Sequence, residues 1–294
     1  MLQIERPHLP TSFGTRLQQA FDSRGQLCVG VDPHAALLDE WGLPDDAMGL
    51  QSFAETVIEA ATDRVGIIKP QVSFFERHGS KGFAVLERVC VLAAEAKLLV
   101  IMDAKRGDIG STMEAYFDAW LGQNAPFLSD ALTVSPYLGF GSLRPTLSAA
   151  AERGKGVFVL SATSNPEGAV LQQAISSGGQ PIAAEIWTGL GEVNAVTAPA
   201  ANGMGSFGAV IGATVNPAKY GMPELTTATQ AIRTPILAPG FGAQGARLVD
   251  TGRLFGAAAG QVIANVSRSV LSGGAGSVAE LIDQANGELL EGLA

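Results

Sequence analysis

The chain has 294 residues, of which 47% are hydrophobic and only 16% are charged, and its formal net charge is −9. So little charge excludes an intrinsically disordered chain, and the length excludes a small scaffold held together by disulfides. The excess of acidic residues disfavours a protein that coats nucleic-acid phosphates, so an anionic ligand must be bound by a local cluster of positive groups. We therefore expect a globular protein with no nucleic-acid partner.

The first residues do not resemble an export signal, because MLQIERPHLP places charges and two prolines where an apolar core would lie. The uncharged stretch 195–218 is interrupted by proline, asparagine and glycine, which disfavours a membrane-spanning helix. Cys28 and Cys90 lie in apolar runs that favour buried free thiols, although the sequence alone leaves a disulfide open. These features predict a cytoplasmic protein with no membrane partner.

Eight short apolar runs recur along the chain. Near-continuous apolar runs of this length are typical of strands that are buried on both faces of a parallel sheet. The predicted strands, in chain order, are Leu27–Val31, Val65–Lys69, Leu98–Asp103, Ala131–Val134, Gly156–Leu160, Phe207–Gly212, Pro235–Ala238 and Gln261–Val266.

Helical patterns separate these runs, as in the apolar spacing of Ala54, Val57, Ile58 and Ala61. Eight strands that alternate with helices predict a closed (β/α)8 TIM barrel, forming a single domain over residues 1–294. A doubly wound open sheet is the alternative, but the first strand is not followed by the glycine-rich fingerprint of dinucleotide-binding folds.

The segment between the fifth and sixth strands, at about 161–206, is longer than one helix requires. It contains two predicted helices, Glu167–Ser176 and Ile182–Val196, separated by SSGGQP. We interpret it as an elaborated βα loop, and such loops carry the chemistry in barrels. A closing helix is predicted over Ser277–Leu290.

Polar residues follow most of the predicted strands. The first three strands end in the tripeptides Asp32-Pro33-His34, Lys69-Pro70-Gln71 and Asp103-Ala104-Lys105, and later strands lead into SATSNPEG, PGFGAQG and Ser267-Arg268. In a barrel all of these strand ends meet at one rim, so residues far apart in sequence converge there.

Simpler structural interpretations exist for several of these residues. Asp32 before Pro33 could cap a helix, and Lys69 could extend its ammonium group from an apolar stem towards solvent. Ser164, with Glu167 three residues later, has the spacing of a capping box, which we favour for that serine. Capping does not prevent Ser164 from also contacting a ligand.

The segment DAKRGD is the strongest candidate for catalysis. In an extended chain Asp103 and Lys105 point to the same side, where acid and amine keep each other ionised. Such a pair suits proton transfer at a site without metal, and Asp108 adds a second acid. The alternative is an ordinary solvated loop, because isolated D-x-K spacing is common.

A phosphate site is predicted after the last two strands. Arg268 lies at the start of a helix, where the helix dipole disfavours a cation unless an anion is bound there. The turn PGFGAQG, with Gly240 and Gly242, supplies closely spaced backbone N–H groups. Loops after strands seven and eight are the usual phosphate site of TIM barrels.

Six segments of the chain resemble orotidine 5′-phosphate decarboxylases of the longer bacterial (type 2) branch. The matching segments are LCVGVDPH, IIKPQVSFFE, MDAKRGDIGST, SPYLGFGSL, LSATSNPEG and LAPGFGAQG, and together with Arg268 they span most of the chain. The spacing D-x-K-x-x-D-I-x-x-T is highly specific to this family.

This resemblance implies a homodimeric barrel that converts orotidine 5′-phosphate to UMP and CO2 in pyrimidine biosynthesis, without metal or cofactor. It assigns Lys105 as the proton donor to C6 of the pyrimidine and Asp103 as the carboxylate facing the departing CO2. It places Lys69 between the ribose and Asp103 in a Lys–Asp–Lys–Asp array that is completed by Asp108.

The resemblance also implies how the substrate is bound. Asp108, Ile109 and Thr112 would reach into the partner's site. The remaining contacts would be made by Asp32 to a ribose hydroxyl, Ser164 and less securely Thr163 to the pyrimidine edge, and Arg268 with the backbone of Gly240–Gly242 to the phosphate.

One feature departs from the family pattern as we read it. Many relatives place a glutamine from the loop after strand six against the phosphate, whereas GATVNPAKYGMPE contains none; Asn216 or Tyr220 could substitute, or nothing does.

Two other functions remain open. One is a related metal-dependent barrel acting on a sugar phosphate, although only His34 and His78 follow strands, and the other is a barrel that binds nucleotides without catalysis.

Overall fold

Eight parallel strands close into a barrel in the computed structural model, which describes residues 11–198, 203–227 and 231–294. Each strand pairs with its sequence neighbour, and the first pairs with the last. The strands are β1 Leu27–Val31, β2 Ile67–Pro70, β3 Leu99–Arg106, β4 Ala131–Val134, β5 Gly156–Ala162, β6 Phe207–Ile211, β7 Ile236–Ala238 and β8 Val262–Val266. The predicted (β/α)8 fold is confirmed.

Helices connect the strands and pack around the barrel. The α-helices are α1 Phe13–Arg24, α2 Ala35–Glu40, α3 Ala47–Ala61, α4 Val72–Glu76, α5 Gly79–Glu95, α6 Gly110–Leu121, α7 Arg144–Glu152, α8 Ala169–Gln172, α9 Ile182–Thr197, α10 Thr251–Phe255, α11 Arg268–Leu271 and α12 Val278–Leu293. Short 3-10 helices lie at Phe140–Leu143, Pro166–Gly168, Pro217–Tyr220, Pro223–Thr226, Leu248–Asp250, Gly256–Gln261 and Ala275–Ser277. Within the described ranges, no helix is long and apolar enough to cross a membrane.

Helix α1 closes the amino-terminal end of the barrel. Its side chains Phe13 and Leu17 are fully buried, and the Phe13 ring meets Phe158 edge-on, with ring centroids 5.9 Å apart. The N–H of Gly14 donates to Ser206 Oγ at 3.1 Å. A side chain at position 14 would collide with backbone atoms, so glycine permits this close approach. This helix was not predicted from the sequence.

The loop between β5 and β6 differs in part from the prediction. The second predicted helix is confirmed as α9, but the first, Glu167–Ser176, is wrong. That segment forms a 3-10 turn and the four-residue helix α8, after which Ile175 pairs antiparallel with Pro181. The glycines of SSGGQP reverse the chain at this point, with Gly179 at a φ of 80°, and the return segment replaces the end of the predicted helix.

Cys28 and Cys90 are buried free thiols, as the sequence favoured. They lie in different layers of the molecule, because Cys28 faces the barrel interior with Ile67 and Ile101, whereas Cys90 belongs to the core between barrel and helices. Burial raises the pKa of each thiol to about 12, so both carry their protons near neutral pH.

Strand β3 contains an irregularity that positions the site described below. Its pairing with β4 changes register between Met102 and Arg106. Within this bulge Lys105 adopts a φ of 50°, in the left-handed region that residues with a side chain rarely occupy. Local strain of this kind is found where a structure must aim a particular side chain.

Candidate active site

A cavity of about 730 Å³ opens at the carboxyl-terminal end of the barrel. Its lining contains seven of the residues that the sequence singled out, namely Asp32, Lys69, Asp103, Lys105, Ser164, Gly240 and Arg268. They come from the carboxyl ends of six different strands or from the loops that follow them, so the predicted convergence at one rim is confirmed.

Three charged side chains form a continuous array in this cavity. The Lys69 ammonium lies 2.9 Å from Oδ2 of Asp103, and the Lys105 ammonium lies 2.6 Å from Oδ1 of the same carboxylate. Gln71 adds a weaker contact, since its Oε1 is 3.4 Å from the Lys105 amine. One carboxylate therefore holds two lysines on its two oxygens.

Burial and charge oppose each other in this array. Burial alone would raise the pKa of Asp103, but the Lys69 and Lys105 ammonium groups outweigh it and hold the pKa well below its usual range. Burial would likewise lower the pKa of Lys69, yet Asp103 and Asp32 together raise it above its usual value. Both groups are therefore charged across the physiological pH range.

Lys69 is only 4% exposed, which rules out the interpretation that its ammonium extends into solvent. Neighbouring β2 and β3 pair in parallel, and Lys69 and Asp103 both point into the barrel above the apolar side chains Ile67 and Ile101. The buried ammonium is therefore stabilised by its carboxylate partner rather than by water.

Thr133 on β4 completes the array and was not singled out from the sequence. Its hydroxyl lies 3.0 Å from Oδ1 of Asp103 and accepts the backbone N–H of Lys105, also at 3.0 Å. Thr133 thus fixes both the carboxylate and the strained backbone that carries the lysine. The available signal was a lone polar residue in the buried run ALTV, two positions beyond Ala131.

Asp32 does not cap the helix that follows it. The N-cap of α2 is His34, whose Nδ1 accepts the N–H of Leu37 at 3.3 Å. Asp32 Oδ1 is buried and has no hydrogen-bond partner among the described residues. Its carboxylate lines the cavity and is therefore available to a ligand.

Ser164 contacts the loop after β7 instead of forming the predicted capping box. Its Oγ lies 3.1 Å from Oε1 of Gln244, and Ser164 makes no capping bond to the 3-10 turn that begins at Pro166. The capping box does not form because Asn165, and not Ser164, is the N-cap residue of this turn. Ser164 and Gln244 both line the cavity.

A glutamine that lines the cavity, Gln244, thus lies in the loop after strand seven rather than in the loop after strand six. Neither substitute considered from the sequence lines the cavity. Asn216 uses its side chain to accept the N–H of Ala218 in its own turn, and Tyr220 is buried. Gln244 lies in the segment PGFGAQG, where the sequence pattern indicates a turn but does not distinguish a glutamine that lines the cavity.

The predicted phosphate site is only partly assembled as expected. Arg268 is exposed, lines the cavity and makes no ion pair with the described residues. It begins the four-residue helix α11, which is separate from the closing helix α12. Gly240, at a φ of 113°, lines the cavity, whereas Gly242 does not, and its N–H donates to the Ala246 carbonyl at 2.8 Å. Gly242 therefore shapes the turn.

Asp108, Ile109 and Thr112 lie outside the cavity of their own chain. Asp108 accepts the N–H of Ile109 at 2.8 Å, Ile109 is 60% exposed, and Thr112 is exposed on α6. The structure brings Asp103, Lys105 and Lys69 together but does not bring Asp108 to them within one chain.

The wall opposite the charged array is apolar. Leu160, Val210 and Leu237 line the cavity from β5, β6 and β7, which lie across the closed barrel from β2 and β3. A ligand in this space meets fixed charges on one side and hydrocarbon on the other. No group of three or more His, Cys, Asp or Glu side chains suited to a metal ion occurs in the described ranges.

Comparison with known proteins places the chain in a family. The model of the orotidine 5′-phosphate decarboxylase / HUMPS family matches residues 25–281. An orotidine 5′-phosphate decarboxylase of Streptomyces coelicolor is 53% identical over 262 residues, covering 89% of this chain and 90% of the relative. One from a Nocardioides species is 50% identical over 88% of this chain and 91% of the relative.

A solved structure extends this similarity to the fold. A crystal structure from Streptomyces avermitilis, provisionally described as an orotidine 5′-phosphate decarboxylase, superposes with a TM-score of 0.88 at 48% identity and covers 100% of both chains. The family model and these relatives cover most of the chain, and the chain belongs to the orotidine 5′-phosphate decarboxylase / HUMPS family.

Proposed function

We propose that this chain decarboxylates orotidine 5′-phosphate to UMP and CO2 in pyrimidine biosynthesis, with Lys105 protonating C6 of the pyrimidine and with no metal or cofactor. The observation that carries this proposal is the array in which one buried carboxylate, Asp103, holds the ammonium groups of the buried Lys69 and the more exposed Lys105. The names of the relatives supply the substrate and the product.

The array suits the chemistry of this reaction. When the bond between C6 and the carboxylate carbon breaks, its electron pair remains on C6 and CO2 leaves. The Lys105 ammonium stabilises that developing charge and then transfers its proton to C6, after which the amine regains a proton from water. Asp103 keeps Lys105 protonated beforehand, because its carboxylate lies 2.6 Å from the amine.

One ion pair cannot supply the whole rate enhancement, which for very slow uncatalysed reactions corresponds to about 20 kcal/mol. Binding energy from parts of the substrate that do not react must therefore contribute to the transition state. We assign the phosphate to Arg268 and the backbone at Gly240, with Gly242 shaping the turn. Asp32 and Lys69 would bind ribose hydroxyls.

The pyrimidine would lie between the charged array and the apolar wall. Ser164 and Thr163 line this part of the cavity, and the Ser164 contact to Gln244 connects the pyrimidine edge with the loop that carries Gly240. Leu160, Val210 and Leu237 would cover the other side of the ring and exclude water from C6.

The decisive experiment is an absorbance assay of the purified protein with orotidine 5′-phosphate, with and without a metal chelator. We expect full turnover in both conditions. Loss of turnover with chelator and its return with a divalent cation would favour the metal-dependent alternative. Absence of turnover, with tight binding of UMP retained, would favour a nucleotide-binding barrel without catalysis.

We further propose that the active unit is a homodimer in which Asp108, Ile109 and Thr112 complete the partner's site. All three lie outside their own cavity. They follow Gly107, which lies against Ser135 at the start of the loop after β4, and on that loop Tyr137 is 76% exposed and Leu138 is 51% exposed. An exposed apolar patch of this kind is typical of an interface.

Subunit mixing tests this dimer. Pure Lys105→Ala and Asp108→Asn proteins should each be inactive. In a mixed dimer one site carries both substitutions and the other carries none, so random exchange of equal amounts should restore about a quarter of all sites. No recovery, despite subunit exchange confirmed by a tag, would mean that Asp108 acts within its own chain or that the dimer is wrong.

A further inference from the structure

Three polar atoms around the cavity are buried without a hydrogen-bond partner among the described residues. They are Oδ1 of Asp32, Nε2 of His34 and Oγ of Ser267, and all three residues line the cavity. Leaving a buried polar atom unpaired costs about 1–3 kcal/mol, so a cluster of three indicates that a ligand satisfies them. The proposed mechanism assigns a role to Asp32 but none to His34.

The three residues that carry these atoms follow the neighbouring strands β1 and β8 and line the same cavity. A Cβ atom at Gly30 would lie 3.2 Å from Oδ2 of Asp32 and 3.2 Å from Oγ of Ser267, so these two side chains converge above the same glycine. His34 follows Asp32 by two residues, and its N–H donates to the Asp32 carbonyl at 2.8 Å. The Phe74 ring, 5.9 Å from the imidazole by centroids, packs beside it.

The hydrogen bonding of His34 determines its tautomer. Its Nδ1 accepts the backbone N–H of Leu37 at 3.3 Å and therefore carries no proton. In a neutral imidazole the proton must then be on Nε2, which makes Nε2 a donor. That donor is buried and unpartnered.

The nearby groups restrict what the ligand atom can be. The Asp32 carboxylate is an acceptor that needs a donor, whereas His34 Nε2–H is a donor that needs an acceptor. A phosphate oxygen could pair with His34 but would be repelled by Asp32. A hydroxyl group both donates and accepts, so vicinal hydroxyls of a sugar satisfy both residues together with Ser267.

We propose that His34 is a positioning residue that donates its Nε2–H to a ribose hydroxyl of the nucleotide and thereby selects ribose over deoxyribose. This inference rests on the proposed function, since it places the ribose of orotidine 5′-phosphate and UMP beside these three residues. A pocket built to hydrogen-bond a hydroxyl discriminates strongly against an analogue that lacks it, because the buried groups then remain unpaired.

Two substitutions separate the two nitrogens of His34. His34→Asn keeps an acceptor at the position of Nδ1, and hence the cap of α2, but removes the donor at Nε2. His34→Gln places an amide N–H near the position of Nε2 but removes the capping acceptor. The asparagine variant should therefore keep the wild-type Tm and lose the ligand contact. The glutamine variant should have a lower Tm and keep the ligand contact.

The binding experiment is calorimetric titration with UMP, 2′-deoxy-UMP and 3′-deoxy-UMP, which requires no catalytic activity. Wild-type protein should bind UMP at least about tenfold more tightly than one of the deoxynucleotides. His34→Asn should lose about tenfold in UMP affinity while its affinity for that deoxynucleotide stays within twofold of wild type, and His34→Gln should restore the discrimination. Equal losses for all three nucleotides, or no loss for UMP, would overturn the inference.

Long-range ¹H–¹⁵N NMR of the wild-type imidazoles provides a test without substitutions, and the chain has only three histidines. The Nε2–H signal of His34 should move downfield with UMP and should not do so with the deoxynucleotide that binds weakly. An Nε2–H signal that is unchanged by saturating UMP would overturn the inference but leave the proposed function intact. Failure of wild-type protein to bind UMP would overturn the proposed function as well.

Discussion

The two ends of the barrel interior differ in chemistry although the same strands build both. At the amino-terminal end the inward side chains are apolar and pack under α1, whereas two residues further along five of the strands, β1 to β4 and β8, they are polar or absent. The pairs, lower residue first, are Cys28 and Gly30, Ile67 and Lys69, Ile101 and Asp103, Ala131 and Thr133, and Ile263 and Asn265.

Because side chains alternate along a strand, both residues of each pair face the barrel interior. The first residues of the pairs form a lower level and the second residues form an upper level, and the two levels have different roles. The lower level supplies apolar burial and hence stability. The upper level holds charges that are costly to bury and are stabilised by one another. Substitutions at the two levels should therefore have separable effects, one on folding and the other on catalysis.

The largest effect is expected for Lys105→Ala at the upper level. Loss of the proton donor and of its charge should lower kcat by about 10⁴-fold or more. The Tm should change little, because Asp103 keeps its bonds to Lys69 and Thr133. Single-turnover assays and thermal melts of the same preparation measure both. Turnover within tenfold of wild type would contradict the assignment.

The converse effect is expected for Phe13→Ala at the lower level. Removing this fully buried ring leaves a cavity against Phe158 and should lower the free energy of unfolding by about 3–5 kcal/mol. The kcat of the folded fraction should stay within about threefold, because Phe13 lies at the end of the barrel opposite the cavity. Denaturant titration measures the first, and Phe13→Leu, with a smaller cavity, is the matched control. A large fall in kcat of fully folded protein would show that the two levels are coupled.

Asp103→Asn is a substitution at the upper level that should also affect stability, and the size of this effect should depend on pH. Because the flanking lysines hold the pKa of Asp103 below its unfolded value of about 3.9, its stabilising effect is complete above that pH and is lost as the pH falls further. The variant should be less stable than wild type by about 3 kcal/mol near neutral pH, with a smaller difference in acid. Urea unfolding between pH 7 and pH 2 measures this, and a constant difference across that range would contradict it.

The smallest of these effects is expected at the outer rim, for Arg268→Ala. If this exposed guanidinium binds the phosphate, kcat/KM for orotidine 5′-phosphate should fall by about 10²-fold, whereas turnover of the phosphate-free nucleoside should hardly change. Steady-state kinetics with both substrates measure this. Equal damage to both substrates would show that Arg268 does not contact phosphate.

The strands were predictable from the sequence because burial on both faces leaves continuous apolar runs. All eight predicted strands occur; β1 and β4 have the predicted bounds, and the ends of the other six are displaced by at most three residues. The largest displacement is in β3, which extends from the predicted end at Asp103 to Arg106. The bulge at Lys105 allows polar residues to continue the strand. The pattern of apolar residues in the sequence gives no indication of such a bulge.

The site was predictable where function demands rare residues in a fixed spacing, as in DAKRGD. It was not predictable where a common residue acts through position alone. Thr133 and Gln244 act through contacts with residues 30 and 80 positions away in the chain. His34 was recognised only as a residue after a strand, because its tautomer depends on a backbone bond to Leu37.

Helix α1 also has a consequence for the order of assembly. Its residues leave the ribosome before every strand of the barrel, yet Gly14 bonds to Ser206, 192 residues later, and Arg16 pairs with Asp130, 114 residues later. Contacts of such long range form slowly, since the closure of a long loop must precede them. Helix α1 is therefore synthesised before the strands but is among the last elements to dock, and the amino-terminal end of the barrel stays open until β6 is in place.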